Sequence, residues 1–221
     1  MICLSTIRSN VLLTCFVNFL KGITKQASDQ AYAGQKTYAK GHLLPAETYS
    51  FSDDYMLSTF TYTNAVPQIG VFNSGQWAQY ERKIREYATS TCGPNGGDLY
   101  LITGISEASI QSGPSGLEAI QETLKVLKPS GDAISIPKSM WTAGCCIIPS
   151  KGAMGAFAVI GNNLQDKKKV LMSEVKMTEL EGFLLTGVKG FGGPAISLFP
   201  ANPGCSDPLK MVNLRKRPLT P

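Results

Sequence analysis

The stretch N-S-G-Q-W-A-Q-Y-E-R-K-I-R-E-Y-A, Asn73–Ala88, decides the reading of this chain. At 3.6 residues per turn, Trp77, Tyr80, Ile84, Tyr87 and Ala88 share an arc of about 100°, while Gln76, Gln79, Arg82 and Glu86 face the other way. The pattern predicts an amphipathic helix seated on a core. Three polar residues do not fit a plain solvent face. Asn73 stands at the helix start, and Glu81 and Arg85 lie beside the apolar stripe. Each has a structural explanation. Asn73 reads as an N-cap with Gln76 as its capping-box partner, and Glu81 with Arg85 as an i,i+4 ion pair.

Upstream lie two further blocks, T-N-A-V-P-Q (Thr63–Gln68) and K-G-H-L-L-P (Lys40–Pro45). His42 is the only histidine of 221 residues, so any imidazole acid–base chemistry falls to it. The alternative is a histidine hydrogen-bonded in a turn. Ser58–Val66 is rich in Thr, Tyr, Phe and Val and reads as a strand. Downstream, C-G-P-N-G-G stops the helix. Asp98–Ile105 reads as a short buried strand, and Leu117–Leu127 as a helix. Ala133–Pro149 and Gly155–Asn163 read as two strands. Val175–Leu185 reads as a helix with Thr178 at its N-cap and Glu181 at the capping-box position. From Gly190 the chain is rich in Gly and Pro. Strands and helices mix without a βαβ rhythm, so the expected class is α+β.

Composition narrows the function. With 43% hydrophobic and 17% charged residues, the chain has material for a packed core and is not of a disordered class. The net charge of +5 permits a polyanionic partner without demanding one. The dense basic runs Lys167–Lys169 and Arg215–Arg217 read as a solvated loop and tail. The apolar run Val11–Leu20 follows Arg8 and is too short to span a bilayer. It reads equally as a signal h-region or a buried element. No stable membrane insertion is expected. One histidine and no CxxC pair exclude a sulfur-rich zinc site. Cys92, Cys145, Cys146 and Cys205 lie in the body. A bridge between the adjacent Cys145 and Cys146 is strained. Cys92 is therefore expected on one member of the doublet and Cys205 on the other, in an oxidising compartment; the alternative is four buried thiols.

Taken in order, G-H-L-x-P, T-N-x-x-P-Q and N-x-G-x-W-A-x-x-E-x-x-x-R resemble the DNA/RNA non-specific endonuclease family. These are the ββα-metal or His-Me finger nucleases, and the likeness is nearest the extracellular, endonuclease-domain-containing branch. Supporting blocks are Leu99–Glu107, Ile136–Cys146, Phe157–Asn163 and Leu198–Ser206. The resemblance runs from about Gln26 to Ser206. It divides the chain into an atypical segment 1–25, an endonuclease-like domain 26–206 and a basic tail 207–221. It implies a ββα-metal fold, an antiparallel sheet with packed helices. It also implies a secreted enzyme that cuts DNA and RNA through contacts to the phosphate backbone. The resemblance gives His42 the role of general base and Asn73 that of direct ligand to one divalent cation, Mg²⁺ or Mn²⁺. Glu81 becomes the carboxylate that holds water beside the ion. Lys40 and Arg85 become phosphate contacts, and Asn64 a supporting residue.

Two departures stand out. The family's Asp-Arg-Gly-His is Ala39-Lys40-Gly41-His42 here, and the family's long upstream segment with its substrate arginine has no counterpart. Both lead to an expectation of impaired cleavage. They also keep a second reading open, a non-catalytic secreted binding or structural protein on a nuclease scaffold.

Overall fold

The computed structural model describes residues 2–7, 14–16 and 30 through their backbone, and residues 29, 31–113, 116–121, 123, 125–127, 134–165, 172–187 and 195–215 in full. In chain order the strands are β1 (Ile2–Ile7), β2 (Thr14–Phe16), β3 (Tyr38–His42), β4 (Ala65–Ile69), β5 (Asp98–Ser106), β6 (Ala108–Gly113), β7 (Gly116–Gln121), β8 (Val126–Leu127), β9 (Ile134–Ser135), β10 (Ser139–Ile148), β11 (Gly152–Asn162) and β12 (Met172–Val175). The helices are α1 (Asp29–Tyr32), α2 (Asp53–Ser58), α3 (Gly70–Phe72), α4 (Ala78–Tyr87) and α5 (Met177–Gly187). A π turn, Asn73–Trp77, joins α3 to α4.

One antiparallel sheet runs in the order β12-β11-β10-β5-β1-β2. Its inner strands β10 and β11 are buried along most of their length. They read as continuous apolar runs because both faces are covered. Side chains alternate across a strand, and the two faces carry separate cores. On one face Leu99, Leu101, Met140, Phe157 and Val159 pack under Trp77, Tyr80, Ile84 and Tyr87 of the long helix. On the other, Ile102, Trp141, Ala143, Ala158 and Ile160 pack under Met177, Leu180, Phe183 and Leu184 of α5. The expected α+β class, an antiparallel sheet with packed helices, is the one found.

The cysteine doublet obeys the same alternation. Cys145 and Cys146 are neighbours on β10 and so point to opposite faces. Cys146 bridges to Cys92 at the end of the long helix, and Cys145 bridges to Cys205 on the α5 side. The choice that the sequence left open is thus fixed by strand parity. Each layer is tied covalently to the same strand.

Several local expectations are corrected. Ser58–Val66 is not a strand. α2 ends at Ser58, a 3₁₀ turn occupies Tyr62–Asn64, and β4 begins only at Ala65. The buried Asn64 amide takes backbone partners there that a sheet would otherwise supply. Leu117–Leu127 is not a helix. Leu117 and Ala119, two apart on β7, pack against the α5 core, and β7 pairs with β6. The capping box of α5 sits two residues earlier than expected. Glu179 accepts from the Lys176 backbone N–H at 2.9 Å, and Glu181 accepts from the Leu198 N–H at 2.9 Å. Arg8, Lys167–Lys169, residues 216–221 and the run Val11–Leu20 outside Thr14–Phe16 lie beyond the described residues. Within residues 208–215, Met211, Val212 and Leu214 pack against the two cores, Leu214 fully buried, while Leu209 is exposed.

Candidate active site

β3 and β4 form a separate two-stranded antiparallel ribbon, with His42 opposite Ala65 and Tyr38 opposite Ile69. β4 runs directly into α3 at Gly70. The ribbon is about 13 Å long at 3.3 Å per residue. A helix returning over it at 1.5 Å per residue draws level with His42 after about nine residues, near 78–81. The packing agrees. Leu43 and Leu44, just after His42, line one small cavity together with Glu81 and Ile84.

Gly41 precedes the histidine for a steric reason. A Cβ there would fall 1.8 Å from the Gln68 side chain. Gln68 is fully buried under the ribbon, and its amide has no partner among the described residues. Asn64 then sets the exit from His42. Its backbone carbonyl accepts from Leu43 N–H at 2.9 Å, its Oδ1 accepts from Leu44 N–H at 2.9 Å, and its Nδ2 donates to Leu44 O and Thr59 O. Asn163 fixes the other strand. Its Oδ1 accepts from Ile69 N–H at 2.8 Å, and its Nδ2 donates to Pro67 O and Pro137 O. This buried amide hydrogen-bonds the ribbon to the sheet, beside the apolar core that they share.

The His42 imidazole makes no hydrogen bond among the described residues. Its one aromatic neighbour is Phe60, edge-on with ring centroids 4.8 Å apart. Burial holds its pKa below the usual histidine value, so the neutral, proton-accepting form prevails at pH 7. Asn73 is not the N-cap expected of it. It lies inside the helical path (φ −56°, ψ −54°), after Phe72, and its half-buried side chain makes no hydrogen bond among the described residues. The helix is interrupted two residues later, at Gly75 (φ −104°, ψ −118°).

Glu81 lies against a cavity of about 10 Å³, lined also by Thr48, Thr103 and Thr142, which is room for about one water. Burial pushes its carboxyl up to about 8, against the pull of Arg85 and Trp77 and with a further push from Glu47. Arg85 is not paired with Glu81. Its Nη2 donates to Glu47, a largely exposed carboxylate on the turn after His42. Lys40 shares a face of β3 with His42. It donates to Asp29 and, at 3.3 Å, to the Tyr62 hydroxyl, with its ammonium 5.4 Å from the Tyr62 ring.

The structure thus sets Asn64, Glu81 and Arg85 against the segment that follows His42, through Leu44, Leu43 and Glu47, while Asn73 stands on the turn that leads into the long helix and Lys40 on β3. Glu47 and Phe60 were not singled out from sequence, and Gln68 and Asn163 stood in the quoted blocks without a role. The partners of Glu47, Phe60 and Asn163 lie 18 to 96 residues away, and no local spacing signals them. Among the described residues no three His, Cys, Asp or Glu side chains cluster as a metal cage, and no helix is long and apolar enough to cross a membrane.

Comparison with known proteins gives the family and a likeness of fold. Human endonuclease domain-containing 1 protein is 30% identical over 133 residues, 60% of this chain and 22% of that protein. The mouse protein of the same name is 27% identical over 135 residues, again 60% and 22%. The chain therefore spans about a fifth of the length of these curated relatives. A chain of the solved EndoG/EndoGI complex superposes with a TM-score of 0.56 over 72% of this chain and 61% of its own, at 17% identity, a likeness of fold. The sequence pattern of the DNA/RNA non-specific endonucleases matches residues 16–193. With that match over most of its length, and a ribbon and helix that carry the motif residues on one unit, the chain belongs to the DNA/RNA non-specific endonuclease family.

Proposed function

We propose that this chain hydrolyses phosphodiester bonds of DNA and RNA without sequence preference, using one divalent cation, Mg²⁺ or Mn²⁺. The observation that carries the reading is the unpaired, neutral imidazole of His42 at the end of the ribbon, level with the helix that bears Asn73, Glu81 and Arg85. His42 takes a proton from the attacking water, a task suited to an imidazole that is neutral at pH 7.

The residues present fit the cation. The Asn73 amide oxygen is unclaimed among the described residues, and a sparse neutral-oxygen site suits Mg²⁺, which keeps most of its own waters. Asn73 would hold the ion directly, and Glu81 would orient water beside it. The cation supplies neutralisation of charge on the phosphoryl and leaving oxygens. Arg85 positions the phosphate with its forked donors, once the substrate displaces the exposed Glu47 carboxylate. Lys40 adds a second positive charge to the same face when it leaves Asp29. Exposed ion pairs of this kind hold weakly. Backbone contacts of this type carry no base information, which accounts for the absence of sequence preference. The two disulfides suit an oxidising, extracellular compartment.

A second reading, a non-catalytic secreted binding or structural protein, rests on the Ala39–Lys40 departure and gains one structural feature, the engagement of Lys40 by Asp29 and Tyr62. Plasmid nicking separates the two. The wild-type chain is expected to cut with Mg²⁺, more slowly than a relative with Asp-Arg-Gly-His in place of Ala39–His42, and to stop in EDTA. His42→Ala is expected to lose about 10²–10⁴-fold, since no other histidine exists to replace it. A His42→Ala chain that keeps more than half the metal-dependent rate refutes the enzyme reading.

A further inference from the structure

On the flank of α4 away from Glu81 and Arg85, a cleft of about 400 Å³ is lined by Gln76, Gln79, Tyr80, Lys83, Met172 and Arg215. At 100° per residue, Gln79 and Lys83 each lie about 200° from Glu81 and Arg85 respectively, on the helix's other edge. The cleft lies outside the catalytic grouping described above. Arg215 also lies outside the family match at residues 16–193.

The lining has one chemical character. Two cations and two primary amides face a cleft whose floor is a phenol and a thioether. Both cations are fixed by the fold. Lys83 Nζ donates to Leu214 O at 2.9 Å and to Arg215 O at 3.3 Å. Arg215 donates through Nε to the Tyr80 hydroxyl and through Nη2 to Met172 O. Its three other N–H groups have no partner among the described residues. The Glu174 carboxylate beside the cleft accepts from the backbone N–H groups of Leu214 and Arg215. Gln76 and Gln79 are exposed. Donors held in place before binding lose little freedom when a ligand arrives.

We propose that this cleft is a second nucleic-acid site, holding a backbone phosphate of the substrate away from the bond that is cut. The proposal rests on the nuclease reading above. Gln79 and Lys83 lie across the helix from Glu81 and Arg85, and a helix with its side chains is about 10–12 Å across. That distance corresponds to about three to four stacked nucleotides at 3.4 Å each. Substrates longer than about four nucleotides reach the cleft, and shorter ones do not. Donors from Arg215 and the two glutamines, beside the Lys83 positive charge, are the chemistry of phosphate backbone contact.

The test measures binding of the full chain to a fluorescent 20-mer in EDTA, single-stranded and duplex, across a salt series. Gln76→Glu with Gln79→Glu adds negative charge to the cleft and removes no contact that holds the fold. At low salt it is expected to raise the Kd at least tenfold. Lys83→Gln is expected to flatten the slope of log Kd against log salt by about one. Gln111→Glu with Gln121→Glu, the same charge change on the β6–β7 hairpin, is expected to leave Kd within twofold. Cleavage of a trinucleotide should be unchanged by the cleft variants. Equal Kd values for wild type and the cleft variant overturn the proposal. So does an equal effect from the hairpin control, which would mean net charge alone. If inorganic phosphate competes as well as the 20-mer does, the cleft takes a lone anion and the strand is not its occupant. Failure of the nuclease reading shows separately, as absent cleavage with the Kd difference intact.

Discussion

Glu81 sits where its ionised form is disfavoured, and the fold bears the cost. Its carboxyl is raised from 4.5 to about 8 by burial. Between those values the native chain keeps a proton that the unfolded chain has lost, so stability falls as pH rises through that window and levels off above about 8. One pKa unit corresponds to 1.36 kcal/mol. Because the side chain keeps some contact with solvent, about 2 kcal/mol at pH 8 is a reasonable size for the effect. Glu81→Gln should therefore stabilise the protein by about that much at pH 8, change little at pH 4.5, and abolish cleavage. Urea unfolding at the two pH values checks this. A variant destabilised equally at both would place Glu81 among the residues that hold the fold together. Such an exchange of stability for activity is common where a site needs a poorly solvated charge.

At the scale of elements, Asn163 carries more of the architecture than its size suggests. Its three hydrogen bonds join β4 to the sheet and to the turn before β10. Asn163→Ala leaves the Ile69 N–H and the Pro67 and Pro137 carbonyls without their buried partner. A cost of about 2–4 kcal/mol is expected, measurable by urea unfolding, and a cost below about 0.5 kcal/mol would contradict the anchoring role. Elements with a strong period were legible in the sequence. The long helix follows from its apolar arc, and β5, β10 and β11 from their buried runs. Ser58–Val66 misled because Thr, Tyr and Phe favour strands on composition, whereas a single buried amide, Asn64, satisfies the backbone locally. Leu117–Leu127 misled because two or three apolar residues fit periods of both 2 and 3.6. Within the site, His42, Asn73, Glu81 and Arg85 were legible through motif spacing. Gln68 under Gly41, and Glu47 on Arg85, exist only once ribbon and helix are packed.

For the whole molecule, β10 is the common support of both layers. Cys92–Cys146 fastens the layer that holds the long helix, and Cys145–Cys205 fastens the α5 layer. They close loops of 54 and 60 residues, and each is expected to contribute about 2–4 kcal/mol. The two should differ in function. Replacing Cys92 and Cys146 by Ala frees the end of the helix bearing Glu81 and Arg85, so cleavage should fall even where the chain remains folded. Replacing Cys145 and Cys205 should lower the Tm by a similar amount and leave cleavage close to wild type below that temperature. Equal loss of cleavage from both pairs, at temperatures where both variants are folded, would show that the layers are not independent.

The cysteine doublet also acts as a check on how the chain is threaded. The exchanged pairing, Cys92 with Cys145 and Cys146 with Cys205, would require both sulfurs to change faces. That needs a one-residue slip of β10 between β5 and β11, which would turn every side chain of the strand over. Trp141 and Met140 would then enter each other's cores. During oxidative folding, the native bonds can close only on a correctly registered strand. A mispaired isomer is by the same token a misthreaded one. Disulfide status in newly made protein would therefore report the state of the sheet itself.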